Sequence, residues 1–135
     1  MKCVIVVDSN LPVGLIANAS AVLAMSIGNH VKGIIGEDAK DRDGTLHRGI
    51  TQTVVPVLKG NDGLIRTLRD RLLQRDRDDL FFVDFCDVAQ RSVVYDQYVD
   101  RLSSTPAKDL GYLGIAIIGP DKAVNSLTGH IGLLR

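Results

Sequence analysis

The order of hydrophobic and polar residues along the chain predicts strands and helices in alternation. Residues 4–7 form an unbroken β-branched run, which is typical of a strand buried on both faces. Three more apolar runs, at 53–59, 80–83 and 112–118, are bounded by polar or turn-forming residues and predict three further core strands. Pro56 lies inside the second run, which favours a sheet edge or a bulge there because proline cannot donate to a ladder.

The first helix is predicted from residues that recur at helical spacing. The recurring apolar positions are Ile16, Ala19, Leu23 and Ile27. Ser9 or Asn10 can cap this helix, Pro12 fits its first turn, and Gly28-Asn29 is a plausible end. Small side chains cover much of the rest of its surface: Ala17, Ser20, Ala21, Ala24 and Ser26. Such a helix can lie very close to a sheet or to another helix.

Three further helices are predicted at 63–75, at 88–102 and after Pro120. We expect the middle one to be buried through Tyr95, Tyr98, Val99 and Leu102. Asn61 or Asp62 is expected to cap the helix at 63–75, and Asp43-Gly44 predicts the turn of a polar hairpin. Strands alternating with helices indicate an α/β fold, a three-layer α/β/α sandwich with a mixed sheet of about four core strands. We expect one domain over residues 1–135, without linker or repeat.

Composition excludes several classes of function. Lysine plus arginine and aspartate plus glutamate each number 16, so the formal charge is zero, which argues against a dedicated nucleic-acid binder. The arginines between 66 and 77 alternate with aspartates, which is typical of a solvated helix face. No apolar run approaches the ~18 residues of a membrane span, and the N-terminus lacks signal-peptide features, so we expect a cytoplasmic protein.

Cysteines and histidines give no indication of a metal or redox site. Cys3 and Cys86 belong to no Cys-x-x-Cys pair, which predicts two buried, reduced thiols. His30, His47 and His130 lack metal-ligand spacing. No Walker, Rossmann or Gly-x-Ser-x-Gly fingerprint is present. We therefore expect no metal and no cofactor.

Two strand–turn–helix units carry the candidate site. The first runs from the opening strand through residues 8–18, and the second joins the fourth strand to residues 119–125. Open α/β sheets bind ligands where such units end, so we expect a small-molecule site between the two segments. The candidate ligand-binding residues are Asp8, Asn10, Gly14, Asn18, Gly119, Lys122 and Asn125. The alternative for Asp8 is that it caps a helix N-terminus, and the alternative for Asn18 is a hydrogen bond to a neighbouring backbone group.

Asp84 and Asp87, after the third strand, are weak candidates for catalysis. If the strands are parallel, Asp8 and Asp84 gather at one end of the sheet, where either can serve as a general base. Helix capping is again the alternative role, and here it is favoured.

Several phrases of the sequence resemble a known family. Those that carry the resemblance are Val6-Val7-Asp8, Leu11-Pro12, Gly14-Leu15-Ile16-Ala17-Asn18-Ala19, Val83-Asp84-Phe85 and Gly119-Pro120-Asp121-Lys122-Ala123-Val124-Asn125. On them the whole chain is identified as a member of the bacterial domain of unknown function 2000 family. That family is placed with the type II peptidyl-tRNA hydrolase-like superfamily, which implies the hydrolase-like fold but no established activity.

The hydrolase resemblance fails at the two elements that carry chemistry. Where the hydrolases have a lysine-rich turn, this chain reads 13–16 as Val-Gly-Leu-Ile, and Leu15 stands at the position of the lysine thought to be catalytic. Where they have Asp-Ala-Gly-x-Thr-Gln, residues 84–90 lead into a helix instead.

Three hypotheses of function follow. The first is a small-ligand-binding or regulatory protein. The second is a hydrolase of a peptidyl or aminoacyl ester, in which Asp84 or Asp87 orients water and N–H groups at Gly14 or Gly119 hold the oxyanion. The third is a structural homo-oligomer, expected as a homodimer, joined through the small-residue helix and Leu133-Leu134.

Overall fold

The computed structural model describes residues 1–135 as a mixed α/β fold with a four-stranded sheet and five helices. The strands are β1 (Lys2–Asp8), β2 (Ala39–Lys40), β3 (Leu46–His47), β4 (Val57–Gly60), β5 (Phe81–Cys86) and β6 (Tyr112–Gly119). The helices are α1 (Val13–His30), α2 (Asp62–Leu73), α3 (Asp87–Arg91), α4 (Tyr95–Ser103) and α5 (Asp121–Thr128), with a 3₁₀ turn at Ala107–Asp109. No helix is both long and apolar enough to cross a membrane.

The strand order of the main sheet is β4-β1-β6-β5. β1 is parallel to β4, with Ile5 opposite Val57, whereas β6 is antiparallel to both β1 and β5. The prediction of four core strands in a mixed sheet is confirmed. The second of them, expected at 53–59, is shorter and begins after Pro56 at the sheet edge, because proline leaves the ladder without a donor.

Successive side chains of β1 lie on opposite faces of the sheet, and each face carries its own apolar cluster. Val4 and Val6 face the cluster that holds residues of α2 and α5, such as Ile65 and Val124. The intervening residues of β1 face the cluster that holds the buried stripe of α1: Ala19, Leu23 and Ile27. Both faces of the sheet are thus covered by helices, which explains why β1 has no polar residue between Cys3 and Val7.

The predicted helix over 88–102 is wrong in one respect, because the chain breaks it into α3 and α4. Ser92 and Val94 have extended backbone angles, and extended conformations suit β-branched residues such as Val93 and Val94. The Oγ–H of Ser92 donates to the carbonyl of Val88, and the N–H of Val93 donates to Oε1 of Gln97. The break therefore gives one polar group near each new helix end a hydrogen-bond partner.

The break also changes which side chains are buried. No residue of α4 is buried, and Tyr95 and Val99, both predicted to be buried, are 75% and 46% exposed. Tyr98 and Leu102, by contrast, pack partly buried against the cluster on the α2 side of the sheet. Of the four residues predicted to be buried, two are therefore partly buried and two are exposed.

One predicted helix cap and the predicted hairpin turn are confirmed, whereas both ends of α1 differ from the prediction. Asn61 caps α2 through Oδ1, which accepts the N–H of Leu64 at 2.8 Å, and Gly44 has φ of +83° in the predicted hairpin turn. The expected cap of α1 by Ser9 or Asn10 is wrong, since Pro12 stands at the N-cap without a side-chain bond. The same helix continues past Gly28 to His30.

Candidate functional site

The two segments predicted to form one site lie at opposite ends of the sheet. Lys2 pairs with Gly119 and Val7 pairs with Gly114, so the end of β6 lies beside the beginning of β1. At about 3.3 Å per residue, Asp8 and Gly119 are separated by roughly 20 Å along the strands. The shared site is therefore a wrong prediction, because β6 is antiparallel to β1 and sequence alone did not give the strand direction.

In the first segment, the polar groups form a turn. Asp8 Oδ1 accepts the N–H of Asn10 at 3.0 Å, and Ser9 Oγ–H donates to the carbonyl of Gly60. Asn10, Gly14 and Asn18 are exposed. Their role in binding a ligand stays a prediction, but they do not converge with residues 119–125.

In the second segment, the candidate residues have partners within the chain. Asn125 Oδ1 accepts a hydrogen bond from the ammonium of Lys2, and Asp121 pairs with the N-terminal ammonium at 3.0 Å. Lys122 lies with Arg75 and Arg77 around a shallow surface depression. This segment is therefore tied to the beginning of β1.

The third predicted strand contributes to a cleft of about 340 Å³. The cleft lies between α1, β5 and the α3–α4 region, and most of its lining is apolar. Its polar members are Asp84, Ser26, Ser92, Tyr95 and Tyr98. Its apolar members are Val22, Val83, Phe85, Ala89, Val93 and Val94. An apolar cleft with a few polar groups is the usual form of a small-molecule site. We call it the β5 cleft.

Sheet order explains why the cleft forms here. β5 is an edge strand and pairs only with β6, and residues of α3, α4 and the segment between them line the cleft beside it. The break at Ser92–Val94 leaves Val93 and Val94 91% and 62% exposed on the rim. The sequence does not reveal this wall of the cleft, because its pattern predicts one continuous helix over 88–102 in which Tyr95 is buried.

Asp84 is fixed in the cleft by an arginine of α2. Arg69 Nε–H donates to Asp84 Oδ2 at 2.8 Å, and the two side chains are only 26% and 25% exposed. Burial lowers the pKa of Arg69, but the hydrogen bond and attraction of Asp84 outweigh it and leave that pKa raised. The pair keeps a charged carboxylate at the cleft with its charge balanced.

Two tyrosines lie beside this ion pair. The guanidinium groups of Arg66 and Arg69 lie 4.9 and 5.5 Å from the ring centre of Tyr112. Burial raises the pKa of Tyr112, and burial is also the main cause of the raised pKa of Tyr98. Both hydroxyls therefore remain protonated at neutral pH, so Tyr98 can donate a hydrogen bond into the cleft.

Asp87, the other catalytic candidate, does not line the cleft. Its Oδ1 is buried without a hydrogen-bond partner, and its Oδ2 lies 3.8 Å from Arg91. Its backbone N–H donates to the carbonyl of Gly111, and a Cβ at Gly111 would lie 3.0 Å from Oδ2. The carboxylate therefore lies against the backbone of Gly111 and outside the cleft, and its catalytic role stays a prediction.

An oxyanion site that joins Asp84 or Asp87 to Gly119 is excluded by the same topology. Phe85 pairs with Gly114 and Phe81 with Ile118, so the aspartates lie at the end of the sheet remote from Gly119. Gly14 belongs to the first turn of α1, which follows β1, and β1 is separated from β5 by β6. The hydrolase hypothesis is therefore wrong where it assigns the oxyanion to the N–H of Gly119.

Two of the three histidines, His30 and His47, contact side chains of the chain itself. His30 stacks on Phe81 with ring centres 3.5 Å apart, and His47 Nε2 lies 2.9 Å from Asp41 Oδ2. No three side chains of His, Cys, Asp or Glu come together in a group that could hold a metal ion.

Comparison with known proteins gives the relationship of the whole chain. A protein of unknown function from Agrobacterium tumefaciens strain C58 has a solved structure that superimposes with a TM-score of 0.85. The two chains are 20% identical over 98% of this chain and 96% of the other, which is a likeness of fold. Among curated proteins, none matches. A family model described as a protein of unknown function matches residues 1–135 from end to end. The chain therefore belongs to the DUF2000 family.

Proposed function

We propose that this protein binds a small molecule in the β5 cleft. The observation that carries the proposal is Asp84, a carboxylate fixed by Arg69 in a cleft whose other walls are mostly apolar. Fixed polar groups orient a ligand, and apolar walls supply most of the binding free energy.

The free polar groups of the cleft define the chemistry of the ligand. Asp84 Oδ2 is bonded to Arg69, whereas Oδ1 has no hydrogen-bond partner within the chain. Because Arg69 balances the charge, the free oxygen suits an uncharged donor, such as an amide or hydroxyl group, better than a second cation. Tyr98 supplies a protonated hydroxyl, and Val22 and Val94 offer apolar contact. We therefore propose a neutral ligand with one donor group on an apolar body.

The finer features of the fold belong to this proposal. We propose one domain with the α/β/α layering of the type II peptidyl-tRNA hydrolase-like superfamily, supported by helices on both faces of the sheet. Leu15, in place of the catalytic lysine, supports binding over ester hydrolysis. A cytoplasmic location, a homodimer and ligand contacts at residues 8–18 and 119–125 stay predictions.

The proposal can be tested with a fragment screen read out by melting temperature and by NMR chemical shifts. Fragments that carry an amide or hydroxyl on an apolar body should raise the melting temperature, because a ligand that binds the native state stabilises it. Ser26→Leu extends an apolar side chain from α1 into the cleft and should abolish the response. Ala21→Leu is the matched control, since Ala21 is exposed on the same helix and does not line the cleft.

Asp84→Asn tests the orienting group. We expect affinity for donor-bearing fragments to fall about tenfold or more, the loss of one charge-assisted hydrogen bond. Apolar fragments without a donor should be affected less. Fragments that bind equally well to wild type and Ser26→Leu would show that the ligand site lies elsewhere.

A further inference from the structure

A second pocket, of about 310 Å³, lies on another flank of α1. It is enclosed by the C-terminal half of that helix, the beginning of β1 and residues 34–55. The lining residues are Cys3, Ala24, Ile27, Gly28, Ile34, Ile35, Ile50, Thr51 and Val55. None of them carries a charge, and none lines the β5 cleft. We call it the apolar pocket.

The outer wall of the apolar pocket is a short antiparallel pair. Ile35 and Thr51 form a bridge, the N–H of Gly36 donates to the carbonyl of Ile50 at 2.9 Å, and the N–H of Gln52 donates to the carbonyl of Ile34 at 2.8 Å. These bonds satisfy the backbone polar groups of the wall, so they do not need a ligand. The wall therefore presents isoleucine side chains to the space behind it.

The pocket reaches the sheet itself. Cys3 and Ile27 at its base are only 1% and 3% exposed, whereas Ile35 and Ile50 at its mouth are 52% and 78% exposed. Burial raises the pKa of the Cys3 thiol to about 11, so the base of the pocket is uncharged at neutral pH. A ligand at this depth is surrounded by apolar groups on several sides.

Small side chains of α1 create the space. Ala24 and Gly28 lie one turn apart and both line the pocket, and a Cβ placed on Gly28 would meet no atom within 4 Å. A helix with leucine at these positions would fill the volume with its own side chains. The small-residue surface of α1 thus leaves room for another molecule.

We infer that the apolar pocket binds an uncharged, wholly apolar small molecule, distinct from the donor-bearing ligand proposed for the β5 cleft. Its lining offers no charge and almost no hydrogen-bonding group, so a charged or strongly polar ligand would lose its hydration without compensation. Apolar walls favour the transfer of hydrocarbon groups out of water. A concave pocket of about 310 Å³ above Cys3 fits an inserted small molecule better than the flat surface of a partner protein.

The test uses the fluorescent dye N-phenyl-1-naphthylamine, which is neutral and gains emission in apolar surroundings. We expect saturable binding to the wild-type protein. The anionic analogue 8-anilino-1-naphthalenesulfonate should bind about tenfold or more weakly, because no cation lines the pocket to offset the burial of its sulfonate.

Three variants locate the dye. Ala24→Leu and Gly28→Leu direct side chains into the pocket and should each abolish saturable binding, and Gly28→Leu also removes a glycine from a helix interior. Ala21→Leu, on the same helix but outside the pocket, should bind the dye like wild type. Circular dichroism and melting curves verify the fold, and either blocking variant alone suffices if the other is unfolded.

Two outcomes would overturn the inference. One is the absence of saturable dye binding to the wild-type protein. The other is binding that survives both blocking variants but is lost in Ser26→Leu, which would place the dye in the β5 cleft. Since the two sites are blocked by different substitutions, failure here leaves the proposed function of the β5 cleft intact.

Discussion

Arg69 Nε donates to Asp84 Oδ2 at 2.8 Å, and this bond joins α2 to the edge strand β5 with three quarters of each side chain removed from solvent. The same guanidinium lies 5.5 Å from the ring centre of Tyr112. One arginine thus connects a buried aromatic ring of β6 to the carboxylate of the β5 cleft. The bond therefore contributes to the stability of the sheet edge and holds the carboxylate of Asp84 in position in the β5 cleft.

A double-mutant cycle should measure that contribution. With Arg69→Met and Asp84→Asn, we expect a coupling energy of about 1–2 kcal/mol in urea unfolding, between the values for exposed and buried ion pairs. The pair of Arg48 and Asp38, whose side chains are 83% and 38% exposed, is the control and should give less than about 0.5 kcal/mol. Equal coupling energies for the two pairs would mean that Arg69 and Asp84 act as an ordinary surface pair.

Alanine substitutions at Gly114 and Gly28 should change the free energy of unfolding in opposite directions. A Cβ on Gly114 would lie 2.9 Å from Leu23 Cδ1 and 3.3 Å from the carbonyl oxygen of Val6, so Gly114→Ala should push α1 from the sheet and cost about 1–3 kcal/mol. Gly28→Ala meets open space inside a helix and should stabilise the protein by up to about 1 kcal/mol. Urea unfolding measures both, and a stabilising Gly114→Ala would contradict the close packing of α1 on β6.

The strands and most of the helices could be predicted because their signals are local. The β-branched run at 4–7 and the spacing of Ala19, Leu23 and Ile27 both report burial directly. The sequence narrows the cap of α2 to Asn61 or Asp62, because a capping side chain bonds within its own helix end, and Asn61 is the one that does so. Patterns over a few residues were therefore sufficient for these elements.

The site was harder to predict because it depends on the direction and order of strands. Nothing local to Gly119 shows that it pairs with Lys2, since antiparallel and parallel partners can have the same apolar sequence. The position of β5 at an edge, which opens the cleft beside Asp84, is likewise a property of the sheet order. Asp84 was named from the sequence, but Arg69, Tyr98 and the exposed Val93 and Val94 were not recognised as its surroundings.

The small residues of α1 allow close packing at some positions and leave cavities at others, and the sequence does not show which. Ala19 is fully buried against the sheet, as the close-packing interpretation predicts. Ala24, Ser26 and Gly28 instead line two separate cavities. Whether a small residue brings elements together or leaves a gap depends on the neighbouring element, which the helix pattern does not contain.

Cys3 should make the protein less stable in alkaline solution. Burial raises the pKa of its thiol from 9.0 to about 11, so above pH 9 the unfolded chain loses a proton that the native state retains. The stabilisation is complete below pH 9 and is lost as pH rises toward 11, by up to about 2.7 kcal/mol at 1.36 kcal/mol per pKa unit.

Urea unfolding of wild type and Cys3→Ala between pH 8 and pH 11 measures this effect. Alanine has no titrating group, so the difference in unfolding free energy between the two proteins should shrink across that range. Two curves that stay parallel would show that the thiol does not ionise differently in the folded and unfolded states.

Asp79 should stabilise the protein at neutral pH and lose that effect in acid, whereas the effect of Cys3 is lost in alkali. Arg75 Nη2–H donates to Asp79 Oδ1 at 2.9 Å, and this hydrogen bond is the main cause of the lowered pKa of Asp79. A carboxylate whose pKa is lowered in the folded state stabilises the protein above its ordinary value of 3.8, and that stabilisation is lost as pH falls through the lowered pKa. Asp79→Asn should therefore lower the urea midpoint at pH 7 and lower it less at pH 2.5. Asp78→Asn, the substitution of an exposed neighbour outside any ion pair, should have little effect at either pH. A midpoint difference for Asp79→Asn that is the same at both pH values would assign its effect to packing of the 75–79 loop instead of to the charge on Asp79.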